Sequence, residues 1–363
     1  MSAITIVILV FSVLGAADYI FGNKMGIGNE FQRAFSMFGS MALSTLGMIV
    51  IAPAIGVMLT PFCGVFYDWF GIDPSIIPVS LLANDMGGMT LAQSICVSKN
   101  MGDYNAFVIS SMMGCVVSFT LPISLGMVKQ TQHSDLLFGF LCGIATVPVG
   151  SFVAGLMCQL PIRALVMNLL PLLILSLMIG VALICVPQIC MKCFGVFGML
   201  MKILALIGLV CAIFTFLTHR EISPHLDTFE NAVFVCVNAC VTLSGALPLM
   251  FVVSKLLNRP LNQLGSRLGI TGISAVAFVG SLVTNVSTFG VMERMDKKGV
   301  VLNAAFAVSA SFVFGSHLAF TMAFDDAYVL PMIVGKLVSG FCAVALALLL
   351  YKEAPAAGEN KAV

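Results

Sequence analysis

The sequence predicts an all-α polytopic membrane protein with inverted structural repeats, and three observations predict it. Hydrophobic residues fill 60% of the 363 positions and charged residues only 9%. A soluble chain needs far more charge to cover its surface. Apolar segments recur along the whole chain, each close to the roughly 20 residues that a bilayer-spanning helix requires. Two of these segments are interrupted midway by polar residues.

The first segment, residues 3 to 23, has Gly15, Ala16 and Ala17 after an apolar run but no basic leader, so it reads as a transmembrane helix rather than a signal peptide. Further segments lie near 34 to 60, 75 to 95, 104 to 128, 136 to 160, 164 to 187, 194 to 218, 230 to 257, 270 to 292, 299 to 324 and 327 to 351. No stretch between them is long enough for a soluble domain. The tail 352 to 363, with "APAAGENKA", reads as a short disordered end.

The two halves of the chain match. Pro53 falls on Pro248, Pro61 on Pro260, Gly71-Ile72 on Gly269-Ile270, Ser80-Leu81 on Ser281-Leu282, Asn84 on Asn285 and Ala106-Phe107 on Ala305-Phe306, all at an offset of about 200. Gly150, Val153 and Gly155 then fall on Gly335, Val338 and Gly340 after a shorter loop. Residues 1–160 therefore form a first five-segment repeat, 161–192 a connector helix, and 193–351 the second repeat.

Basic residues prefer the cytoplasmic side of a membrane and so test the topology. If all the segments cross, lysine and arginine divide ten to six, which decides nothing. If 75 to 95 and 270 to 292 enter and leave by one face, only Lys99, Arg163 and Arg220 oppose thirteen others, and Lys336 stays within a span. The second arrangement makes the repeats antiparallel, a recurring plan among secondary transporters. Nine crossing helices and two re-entrant or broken segments are expected, with the amino terminus outside; a drawing with all eleven crossing remains the rival.

The polar interruptions supply the candidate site. "SLLANDMGGMTLAQ" carries Asn84 and Asp85 beside Gly87 and Gly88, which let the chain leave helical geometry. Backbone freed in this way cannot face lipid, so the tip is buried in protein or lines a wet cavity. An intramembrane carboxylate needs a cation, a proton or strong donors, so Asp85 marks a site for a small cation, or else caps a helix end or pairs with Lys336. The matching tip, "SLVTNVSTFG", offers Thr284, Asn285, Ser287 and Thr288, which are polar and uncharged.

Other residues admit more than one reading. Lys336 could pair with Asp85, take the place of a bound cation, or snorkel to an interface. His317 is either a carrier of a coupling proton or a packing histidine. Asp18 sits nearer an interface, where a carboxylate costs less. Asp68, Asp73, Asp325 and Asp326 are expected as outer loop charges that draw cations in or are simply solvated. The twelve cysteines include one CxxC pair, Cys190 and Cys193, with no second pair or histidine beside it, so no metal site and no cofactor is expected. Nothing basic enough for nucleic acid appears.

The runs "PSIIPVSLLANDMGGMTLAQ", "NAAFAVSASFVFGSHLAF" and "YVLPMIVGKLVSG" resemble, in order and over nearly the whole chain, the ethanolamine transporter family of bacterial ethanolamine-utilisation systems. The resemblance implies a permease, not an enzyme, for ethanolamine in the bacterial cytoplasmic membrane. Asn84 to Gly88, Asn285, His317 and Lys336 match the family's motif positions. Ser316 departs from it, where the family carries an acid beside the histidine, and "TNVSTFG" is more hydroxylated than usual. On this basis Asp85 accepts the ammonium, and Asn84, Thr284, Asn285, Ser287 and Thr288 meet the remaining donors and acceptor. An ion- or proton-coupled transporter of another small amine or amino acid is the alternative. An enzyme lacks its nucleophile, metal cluster or paired carboxylates, and a receptor lacks an output domain. The lipid bilayer is an implied partner; a homo-oligomer is left open.

Overall fold

A computed structural model describes residues 3–351; the disordered tail expected at 352–363 lies outside the described residues. The elements are helical throughout, in the order α1 Ala3–Ile20, α2 Ile27–Phe70, α3 Ile76–Val79, α4 Gly88–Ile95, α5 Lys99–Met127, α6 Gln130–Met157, α7 Ile162–Cys185, α8 Pro187–Thr218, α9 Phe229–Leu268, α10 Gly272–Val283, α11 Asn285–Val291, α12 Lys297–Ala310, α13 Ser316–Phe324 and α14 Asp326–Leu350. Eight of these, α1, α2, α5 to α9 and α14, are long and apolar enough to cross a membrane. Large apolar side chains such as Leu177, Val196 and Leu217 stand exposed along them, as a lipid-facing surface requires.

The remaining three segments are broken. Residues 80 to 87 leave helical geometry between α3 and α4, apart from a 3₁₀ turn at Asn84–Met86. Thr284 is extended between α10 and α11. The third break was not expected: the segment read as one helix over 299 to 324 parts at 311 to 315, between α12 and α13. There Phe312 adopts a φ of 62° and the backbone turns away from its own helix. Its amides pair elsewhere, Phe312 N with Ser281 O at 3.0 Å and Phe314 N with Leu282 O at 2.8 Å, so the third break lies along the end of α10. Phe312, Val313 and Phe314 hide this break because they read as ordinary span residues and no proline announces it.

The helices that enter the first two breaks end alike. Gly71 and Gly269 take φ values of 66° and 71° after α2 and α9, and the following Ile72 and Ile270 amides reach back to Phe66 O and Gly265 O. These are the reverse bonds of a glycine-capped helix terminus.

A carboxylate holds the two ends of each of the first two broken segments together. The Asp73 carboxylate accepts from the Ser75 amide and hydroxyl on one side and from the Val97 and Ser98 amides on the other. Asp296 does the same in the other half, accepting from the Thr271 amide and hydroxyl and the Ser274 hydroxyl before the segment and the Gly299 amide after it. Asn105 braces the first clip through Ser75 Oγ at 2.9 Å, and Asn303 braces the second through Ser274 O at 2.8 Å. Asp73 is thus a buried structural anchor, 4% exposed, rather than the loop charge expected of it.

The interior packs on α6, α12 and α14. Gly150 and Gly335 meet backbone to backbone, leaving no room for a side chain on either. Small residues at such crossings let membrane helices approach closely.

Candidate functional site

Three polar threads converge inside the bundle. The first is the tip at Asn84–Met86. Gly87 supports it with a φ of 83°, and a Cβ there would stand 2.9 Å from the Met48 side chain. Gly114 of α5 packs so tightly on the Leu82 and Val79 carbonyls that no side chain fits. The Ala83 amide donates to Ser118 Oγ at 3.2 Å, Asn84 Oδ1 accepts from the Asp85 amide at 2.8 Å, and Thr45 Oγ1 donates to Asp85 O at 2.6 Å. The tip backbone is therefore satisfied by side chains of α2 and α5, as backbone freed within a membrane must be.

The second thread is Asn285, fully buried at the start of α11, whose amide donates to Thr120 Oγ1 at 2.9 Å. Ser118 and Thr120 sit two residues apart on α5, so the two tips meet on one turn of that helix. This part of α5, Asn105 to Thr120, is wound as a π-helix except at Cys115. Such winding occurs often at functional sites because it displaces side chains and carbonyls from their usual register.

The third thread is α13 with α14. Asn84 Nδ2 reaches His317 O at 3.5 Å, a long contact at the edge of hydrogen bonding. Lys336 is 1% exposed; its ammonium donates to the Ser111 carbonyl on the π-helix and meets His317 Nδ1 at 3.0 Å. The ion pairs among the described residues do not join it to Asp85. Asp85 lies near Ser316, with Lys336 within electrostatic range.

Around this meeting point most residues are closed, yet Asp85, Met86, Phe119 and Ser316 are half-open. Phe119 lies edge-on to Phe312 at 5.5 Å, and Phe312 lies 5.0 Å from the His317 ring. A carboxylate with aromatic rings nearby is chemistry suited to an ammonium group.

The expected residues thus separate into two groups. Asn84, Asp85, Asn285, His317 and Lys336 belong to the converging threads, with Gly87 and Gly88 shaping the first tip. Thr288 is turned inward on its own element, sharing a bond with Ser281 Oγ at 2.7 Å and donating to Ala277 O. Thr284 and Ser287 line a separate cavity of about 210 Å³ with Glu30, Arg33 and Ser254. Asp18 accepts from the Met25 and Gly28 amides at 2.9 Å each, fastening the turn after α1. Sequence reasoning missed Thr45, Ser118, Thr120 and Phe312. The three hydroxyl residues look like ordinary small polar positions of apolar spans, and only their contacts with the tips distinguish them.

The fold and this site together define a multi-pass membrane protein whose broken helices bring polar side chains into its interior. The chain belongs to the family described as ethanolamine utilisation protein EutH, whose model matches residues 1–350. It is 37% identical to the probable ethanolamine permease EutH of Listeria monocytogenes, over 93% of this chain and 91% of that one. It is 32% identical to the protein of that name from Salmonella typhimurium, over 94% and 91% of the two chains. An uncharacterized protein, YxeR of Bacillus subtilis, is 32% identical over 95% and 93%. No solved structure matches the chain.

Proposed function

We propose that the chain is a permease carrying ethanolamine inward across the bacterial cytoplasmic membrane without covalent chemistry, with Asp85 receiving the protonated amine. The observation that carries this is Asp85, a carboxylate on a tip that is held, beside the second tip, on one turn of α5. Ethanolamine is largely an ammonium at neutral pH and carries one hydroxyl, so it asks for one anion and a few neutral partners. Asn84 and Asn285 stand at the meeting point for that purpose. Thr284 and Ser287 serve the approach from the cavity beside Glu30 and Arg33, while Thr288 braces the tip from within.

The same proposal takes 75 to 95 and 270 to 292 as re-entrant segments of two inverted repeats, 1–160 and 193–351, joined by 161–192, with nine crossing helices and the amino terminus outside. It is supported by the clips at Asp73 and Asp296, which hold the two ends of each segment together, and by the lysine and arginine division. Loops assigned to one side also gather: Lys99, Gln159 and Asp325 line one cavity, while Lys129 pairs with Glu293 at 2.5 Å at the opposite end.

The test is radiolabelled ethanolamine uptake by proteoliposomes holding the purified protein. Saturable uptake above that of empty liposomes is expected. Uptake equal to empty liposomes would exclude ethanolamine. The contact of Lys336 with His317 favours a second reading, proton-coupled transport, which predicts that uptake collapses when a pH gradient is discharged.

A further inference from the structure

His317 is completely buried and its two ring nitrogens are treated unequally. Nδ1 faces the Lys336 ammonium at 3.0 Å, and that ammonium also donates to the Ser111 carbonyl. An ammonium has three donors and no acceptor, so Nδ1 must receive, and the proton of the neutral imidazole then resides on Nε2. Lys336 thereby selects the tautomer. Nε2 itself is enclosed and has no protein partner among the described residues.

Four enclosed amide oxygens among the described residues lack partners, and three of them, on Asn23 in the turn after α1, Gln132 at the start of α6 and Asn303 in the second clip, lie outside the converging tips. The fourth is Asn285 Oδ1, while the amide nitrogen of the same side chain is spent on Thr120. The buried hydroxyls of Ser309, Thr321 and Ser339 lack partners too, but a hydroxyl rotates to suit its surroundings, whereas the imidazole N–H and the amide oxygen point in fixed directions. Both fixed atoms belong to the seam already described: Asn84 of the first tip reaches the His317 carbonyl, and Asn285 shares one turn of α5 with the residue that holds Ala83. Leaving a buried donor and a buried acceptor unpaired is costly, so native proteins keep few of them and those few call for a reason.

We infer that His317 Nε2–H and Asn285 Oδ1 form the subsite that reads the hydroxyl of the substrate, and so set the preference for amino alcohols over plain alkylamines. The inference rests on the amino-alcohol reading above and deepens it. The hydroxyl oxygen accepts from Nε2–H, the hydroxyl proton goes to Asn285 Oδ1, and the ammonium two carbons away goes to Asp85. Both atoms are enclosed in this conformation, so the hydroxyl reaches them as the tips part. A substrate lacking the hydroxyl leaves both unpaired, which is how a polar site rejects an apolar analogue.

The test is competition for radiolabelled ethanolamine uptake in proteoliposomes by unlabelled ethanolamine, 2-methoxyethylamine and ethylamine. Wild type should favour ethanolamine over ethylamine by roughly tenfold to a hundredfold, with 2-methoxyethylamine, which accepts but cannot donate, in between. His317→Asn keeps an acceptor near the Nδ1 position but places no donor at Nε2, and its preference should fall to within about threefold of unity. His317→Gln restores an N–H near Nε2 and should recover most of it. Equal competition by ethylamine in wild type overturns the inference without needing any variant, as does an unchanged preference in His317→Asn or an equal loss in both variants. Absence of wild-type ethanolamine uptake instead sinks the permease proposal on which the inference stands.

Discussion

The side-chain amide of Asn285 donates to Thr120 Oγ1 across 2.9 Å, linking the second broken segment to the helix turn that holds the first. Both groups are buried, so the bond is formed without competing water. Asn285→Leu and Thr120→Val should each destabilise the protein by about 1–3 kcal/mol, because each leaves a buried polar partner unmet. The double variant should cost less than the sum. Thermal unfolding of all four proteins in detergent checks this; strict additivity would mean that the two residues do not interact.

Close backbone approach makes a second prediction. Gly114→Ala puts a methyl group into the Leu82 and Val79 carbonyls and should prevent recovery of folded protein. Gly64→Ala in α2 meets nothing within 4 Å and should stabilise by roughly 0.5–1 kcal/mol through helix propensity. Yield of monodisperse protein in size exclusion separates the two cases.

The second clip has a defined pH dependence. Burial pushes the Asp296 carboxyl up, but the Ser274 hydroxyl and the Thr271 and Gly299 amides more than offset this and hold it below its ordinary value of 3.8. A carboxyl lowered in the folded state contributes stability that is fully present above its unfolded value and is lost as pH falls through the folded one. Asp296→Asn should therefore melt earlier than wild type at pH 7, and the gap should close below about pH 4. A gap that persists unchanged into acid would contradict the assignment.

Topology yields a fourth prediction. Single cysteines introduced at Val97 and Trp69 in a cysteine-free background should both react with an impermeant maleimide from outside the cell. Cysteines at Arg267 and Lys298 should react only after the membrane is opened. Labelling of positions 69 and 97 from opposite sides would make the first broken segment a full crossing.

Much of this was legible in the sequence because membrane physics leaves few choices. The interruption at Asn84 to Gly88 announced itself, since a carboxylate and paired glycines within an apolar run admit no ordinary helix. The position of Asn285 followed from Asn84 by the internal match. The break at 311 to 315 was hidden, because Phe312, Val313 and Phe314 read as ordinary span residues and their irregular backbone is satisfied by Ser281 and Leu282, distant in the chain. Asp73 looked like a loop charge for the same reason: what makes it an anchor is its bonds to the Val97 and Ser98 amides, distant in the chain, which no local pattern encodes. Lys336 was visible as an oddity, but its choice of Ser111 and His317 over Asp85 depends on the π-helical register of α5.

The most direct test of Asp85 as the ammonium site is ethanolamine uptake by proteoliposomes containing wild type, Asp85→Asn or Asp85→Glu, each checked for monodispersity. Losing the charge partner of a desolvated ammonium costs about 2–5 kcal/mol, so Asp85→Asn should fall by roughly thirtyfold or more, with partial recovery in Asp85→Glu. Saturable uptake by Asp85→Asn at the wild-type level would contradict the account and move the amine to another part of the seam.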